Sequence, residues 1–109
     1  MQKFSITKGM TLEIIRKSIE EKLKLAPALG AKYKVDFSDE GCLLVDATQN
    51  PAIISEEDGE ADTTFVCTSA VFSDILNGVQ DPTMAFMTGK LKIEGSMGYA
   101  MKLNSILGD

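Results

Sequence analysis

A chain of 109 residues, 44% apolar and 25% charged, has the size and composition of one globular domain with its own core. The net charge of −5 disfavours a nucleic-acid partner, and the absence of histidine removes imidazole-activated nucleophiles, the usual zinc sites and the commonest general base. No apolar run approaches the roughly 20 residues of a membrane span and the N-terminus lacks a signal-peptide core, so a cytoplasmic location is expected.

The charge is segregated along the chain. Residues 1–34 hold eight basic and three acidic side chains, residues 35–89 hold eleven acids and no base, and residues 90–109 hold three bases and two acids. The basic N-terminal part leaves room for local contact with an anionic membrane surface.

Residues 9–25, GMTLEIIRKSIEEKLKL, predict an amphipathic helix, with Leu12, Ile15, Ile19 and Leu23 on one face. Pro27 is expected to end it. The period then drops to two. In AKYKVDFS, Ala31, Tyr33, Val35 and Phe37 alternate with Lys32, Lys34 and Asp36, which predicts a half-buried strand. SDEG is a turn with Gly41 free to take a positive φ, and CLLVDAT (42–48) is a second strand completing a hairpin.

The segment QNPAIISEEDGEAD follows as a connection. Its run of Glu56, Glu57, Asp58, Glu60 and Asp62 lacks the calcium-loop spacing and reads as a solvated loop. ADTTFVCT (61–68) predicts a third strand, and Ser69 is expected to cap a helix carrying Phe72, Ile75 and Leu76 before Gly78. Asp81-Pro82 opens a short helix through Met87, KLKIEG is a fourth strand, and Ser96 caps a last helix that stops at Gly108. The order α-β-β-β-α-α-β-α is an α+β arrangement.

Chemistry-bearing motifs are scarce. Cys42 and Cys67 form no CxxC pair and are expected to be free thiols. TGKL fails the phosphate-loop pattern, with Met84 at the first glycine position and Leu91 at the Ser/Thr position. GSMG (95–98) has the GxxG form of an RNA-clamping loop, but a strand end followed by a helix cap explains it better. No cofactor and no metal are expected. What stands out is Met84, Met87, Met97 and Met101, four of six methionines within eighteen residues. Methionine suits surfaces that accept more than one shape, though on a helix face it is core packing more often than a binding wall.

DPTMAFMTGKLKIEGSMGYAMKL closely resembles the C-terminal signature of sterol carrier protein 2-like domains, and GEADTTFVCTSAVFSDILNGVQDP resembles that family's G-x-A-D-x-T strand and following helix. The resemblance covers nearly the whole chain. It implies a mainly antiparallel five-stranded sheet covered by helices on one side, enclosing an apolar tunnel. A fifth strand would have to come from a short segment, within NPAII. It also implies a non-enzymatic binder of sterols, fatty acids, fatty acyl-CoAs or phospholipids. By that resemblance Phe72, Ile75 and Leu76 form one tunnel wall and Met84, Phe86 and Met87 another, with Met97, Met101 and Leu103 on a lid-like last helix. Three features depart from the family pattern: LGD is no peroxisomal tripeptide, Cys42 and Leu43 stand where aromatics are frequent, and Glu94 replaces a frequent lysine. Arg16, Lys17, Lys22 and Lys24 are the candidates for membrane contact, set against Glu13, Glu20 and Glu21. The competing expectation is a protein-interaction or dimerisation module whose pocket is filled by its own side chains.

Overall fold

The computed structural model describes residues 3–26, 29–38 and 41–107, with residues 3–12 as backbone only. The elements run α1 (Lys3–Lys24), β1 (Lys32–Phe37), β2 (Gly41–Asp46), β3 (Ile53–Ser55), β4 (Thr63–Cys67), α2 (Ser69–Leu76), α3 (Pro82–Met87), β5 (Lys92–Gly95) and α4 (Met97–Leu107). The fold is α+β, with one five-stranded sheet in the order β3-β2-β1-β4-β5. β1 pairs in parallel with β4, and the other three pairings are antiparallel. The sheet is therefore mixed. The short edge strand β3 overlaps the segment in which a fifth strand was expected.

α1 begins at Lys3, six residues before the expected start at Gly9. One interior glycine costs a helix about 1 kcal/mol, too little to stop it. Ile15 and Ile19 are buried and Leu23 is half-buried, as their shared face requires. The Leu12 side chain, Pro27 and Gly108 lie outside the described residues. Lys22 and Lys24 fall in the last turn, where they complement the helix dipole.

Alternation sorts the strands onto two faces. Tyr33, Val35, Phe37, Leu43, Val45, Ile54, Thr63, Phe65 and Cys67 point inward, and the core they build also includes Ile15, Ile19, Phe72, Ile75, Leu103 and Leu107 from the helices. Phe37 and Phe72 meet edge to face across this layer, ring centroids 5.6 Å apart. The outer face carries Lys34, Asp36, Cys42 and Leu44. The acidic segment before β4 returns along this face: Asp58 pairs with Lys34 at 2.6 Å, and Gly59 lies against Leu44. Asp58 and Asp62 thus have definite partners, whereas Glu56, Glu57 and Glu60 are exposed as expected of a wet loop.

Local signals account for most boundaries. Thr68, rather than Ser69, caps α2, its Oγ1 accepting from the Val71 N–H at 3.2 Å. Both residues carry a hydroxyl, but Thr68 keeps the extended backbone of β4 while Ser69 is already helical and buried. Asp81 caps α3 through Met84 N–H at 2.9 Å, with Pro82 in the first turn. Past α3, the N–H groups of Lys90 and Leu91 both donate to Ala85 O. That shared acceptor delays β5 to Lys92.

Candidate functional site

The candidate residues lie on three helices. On α2, Phe72 and Ile75 are fully buried against the sheet and Leu76 is half-buried. On α4, Leu103 is buried beside Ala100 and Leu107. The remaining side chains turn to solvent: Met84 is 51% exposed, Phe86 40%, Met87 71%, Met97 43% and Met101 49%. α3 and α4 contact each other, so these five exposed side chains lie on adjacent helices, which also carry the buried Ala85 and Ala100. The candidates thus form a buried aliphatic–aromatic layer and an exposed, methionine-rich layer. Exposed apolar side chains of this size suit contact with an apolar partner. The unbranched thioether side chains can repack around it.

α4 is held at its first turn and leaves its methionines outward. Thr63 is buried and its Oγ1 donates to Ser96 O at 2.7 Å. Ser96 N–H donates to Asp62 O at 3.0 Å, and the Ser96 hydroxyl accepts from Tyr99 N–H at 3.3 Å. Tyr33 donates its hydroxyl to Tyr99 O at 2.9 Å, with the two rings edge-on at 6.4 Å. Burial pushes the Tyr33 phenol up to about 12, with smaller contributions from Tyr99 and Asp62. Asp62 also joins β1 to this junction: its N–H donates to Lys32 O at 2.8 Å and its carboxylate accepts from Lys32 N–H at 2.9 Å.

Gly95 completes the junction. Its φ is +93°, and a Cβ there would lie 2.4 Å from the Asp62 carbonyl oxygen. Reading Asp62 as one acid in a wet run misses this role. The alternation that follows it and the glycine-serine pair at 95–96 are the available signals, but only the β4–β5 register brings them together.

The basic candidates on α1 do not make an unbroken stripe. Lys17 and Lys24 are seven residues apart and share a side, but Glu13, Glu20 and Glu21 fall on or beside it. Arg16 approaches Glu20 at 4.0 Å. An open pocket of about 220 Å³ lies beside this helix, lined by Glu20, Leu23, Lys24, Pro51 and Ala52, on different residues from the methionine surface.

Among the described residues no group of three or more His, Cys, Asp or Glu side chains is placed to hold a metal, and no helix is long and apolar enough to cross a membrane. Neither Cys42 nor Cys67 is in a disulfide. Cys42 lies opposite Asp36 on the outer face and Cys67 opposite Phe37 on the inner face. With β1 between them, the separation of about 10 Å across two strand spacings exceeds what a disulfide spans.

The chain is similar to human sterol carrier protein 2, with 29% identity over 113 residues covering 94% of this chain and 21% of that protein. It is also similar to hydroxysteroid dehydrogenase-like protein 2 of Xenopus tropicalis, 49% identical over 53 residues, or 49% of this chain and 13% of that protein. The chain therefore spans about a fifth or less of these relatives. Among solved structures, sterol carrier protein 2 from Yarrowia lipolytica in its apo form aligns with TM-score 0.65 and 22% identity over 84% of this chain and 74% of that one. An Aedes aegypti sterol carrier protein-2 solved with palmitate aligns with TM-score 0.71 and 19% identity over 85% and 90%. These likenesses establish the fold. The profile of the SCP-2 sterol transfer family matches residues 12–108, and the chain belongs to that family.

Proposed function

We propose that this chain binds one lipid (a fatty acid, fatty acyl-CoA, sterol or phospholipid) without enzymatic chemistry, and carries it between membranes. The observation that carries this reading is the pairing of exposed Met84, Phe86, Met87, Met97 and Met101 with the buried layer of Phe72, Ile75 and Leu103, in a member of a sterol transfer family. Leu76 on α2 is half-buried. A hydrocarbon chain enters between them, and the methionines repack over it. The Aedes aegypti relative solved with palmitate supports an acyl chain as one such guest. Burying a sixteen-carbon chain releases on the order of 10 kcal/mol gross, at ~0.8 kcal/mol per methylene. Association costs take back several kcal/mol, leaving micromolar to nanomolar affinity.

Arg16, Lys17, Lys22 and Lys24 then bring the carrier to anionic bilayers, and the protein works in the cytoplasm. The interleaved acids on α1 make that attraction shallow and salt-sensitive.

The test is direct. The purified protein is denatured, extracted and analysed for copurified lipid by mass spectrometry, and a fluorescent fatty acid is titrated into the delipidated protein. Copurified lipid and saturable binding support the reading, and the absence of both ends it. Flotation with neutral and anionic vesicles tests the second step, and equal binding to the two refutes electrostatic docking. The same exposed methionine surface also suits a protein-interaction or dimerisation module. Sedimentation analysis separates the two, because that reading requires a stable dimer or partner complex and no lipid uptake.

A further inference from the structure

Asn104 sits in the third turn of α4, only 6% exposed, and among the described residues its side-chain oxygen accepts no hydrogen bond. It is the sole buried side-chain atom so placed among them. Such an atom is rare in a well-packed fold, because a buried acceptor without a donor loses its hydration with nothing to offset the loss. Asparagine is also a poor helix former, so neither packing nor propensity accounts for it at this position.

Its placement on the helix is informative. Met97, Met101 and Asn104 follow each other at spacings of four and three residues, so they share one side of α4. The first two are about half exposed and the third is buried. The stripe runs about 10 Å along the helix, from an apolar surface to a polar atom at depth. Ala100, Leu103 and Leu107 on the adjoining side are core.

We infer that Asn104 is the polar anchor of the lipid site and that it selects lipids carrying a hydroxyl group, whose O–H donates to Asn104 Oδ1 while the hydrocarbon lies along Met101 and Met97. This rests on the lipid-binding reading above and assigns it a ligand class. A hydroxyl is neutral and supplies the missing donor. An ionised carboxylate only accepts, and its charge loses far more hydration on burial than a neutral amide restores. Ethers and esters likewise bring no donor.

The experiment compares 1-dodecanol with 1-methoxyundecane, which have the same number of heavy atoms and differ in whether the oxygen carries a hydrogen. Each competes with a pyrene-labelled hydrocarbon probe on the wild-type protein and on Asn104→Leu. The ratio of alcohol to ether affinity is expected to fall about three- to tenfold in the variant, the range of one net hydrogen bond, and the ratio is read independently of any change in probe affinity. Asn104→Met, unbranched and easily accommodated, gives the same readout should the leucine variant not fold. An unchanged ratio overturns the anchor while leaving lipid binding intact. Failure of the wild-type protein to bind probe, alcohol or ether overturns the lipid-binding reading and the anchor with it.

Discussion

Gly95→Ala is expected to destabilise the domain far more than a surface glycine-to-alanine change should. The added Cβ would lie 2.4 Å from Asp62 O and 3.2 Å from both Asp62 C and Thr63 Cα, all backbone atoms that no rotamer change can clear. The residue also sits at φ +93°, where an L side chain costs about 1–2 kcal/mol. Relieving the contact means separating β4 from β5 at Thr63–Gly95, which loosens the Ser96 N–H to Asp62 O bond and adds about 0.5–1.5 kcal/mol. The sum is about 1.5–3.5 kcal/mol. For a domain near 100 residues it corresponds to a fall in Tm of roughly 6–28 °C. Gly98→Ala is the matched control: a Cβ there meets only Ser96 Oγ, at 3.8 Å, inside α4. Alanine in a helix gains about 0.5–1 kcal/mol over glycine, so this variant should be as stable as the wild type or more so. Urea denaturation followed by circular dichroism measures both. A Gly95→Ala loss under about 1 kcal/mol, or a comparable loss at Gly98, would refute the account of how α4 is fixed to the sheet.

Met87→Lys and Met101→Lys change exposed positions, so stability should stay within about 0.5 kcal/mol of wild type while affinity for a fluorescent fatty acid falls at least fivefold. Unchanged affinity would remove the methionine surface from the lipid site. Tyr33 holds its proton in the folded protein up to about 12 against an ordinary value of 10.0, so the unfolded chain loses that proton first. Its contribution is therefore whole below pH 10 and declines as the pH rises from about 10 to 12. Denaturation series over that interval should show a steeper decline in wild type than in Tyr33→Phe, which itself costs about 1 kcal/mol at neutral pH through the lost bond to Tyr99 O. With a thiol reagent, half-buried Cys42 should react slowly because burial pushes its thiol up, and buried Cys67 should react only after denaturant is added. Fast reaction of both in the native protein would contradict the placement of β4 in the core.

Much of this architecture is local in origin. A strand's inward set follows from alternation alone: Tyr33, Val35 and Phe37 face the core because their neighbours Lys32, Lys34 and Asp36 cannot be buried unpaired. Asp81 before Pro82 and the glycine at 78 mark helix ends through backbone groups a few residues away. Ser96 likewise caps α4 from within its own turn. These signals need only short-range geometry, and so they can be read directly from residue order. The methionine cluster was visible for the same reason, as a matter of spacing.

Partnership was not visible in that way. Nothing in KYKVDF states that β1 lies between β2 and β4, antiparallel to one and parallel to the other, because a strand's alternation is compatible with either neighbour and either direction. Long-range pairing settles that choice, and it converts Asp62 from one acid in a hydrophilic run into the group that ties β1, β5 and α4 together. Thr68 caps α2 in place of Ser69 because the end of β4, paired to β1, sets where the extended backbone stops. The outward turn of Met84, Met87, Met97 and Met101, and the burial of Asn104, depend on which helix covers which part of the sheet. Residue order determined the faces and the ends of the elements. Tertiary contact determined their neighbours, and with them which apolar side chains were left outside the core.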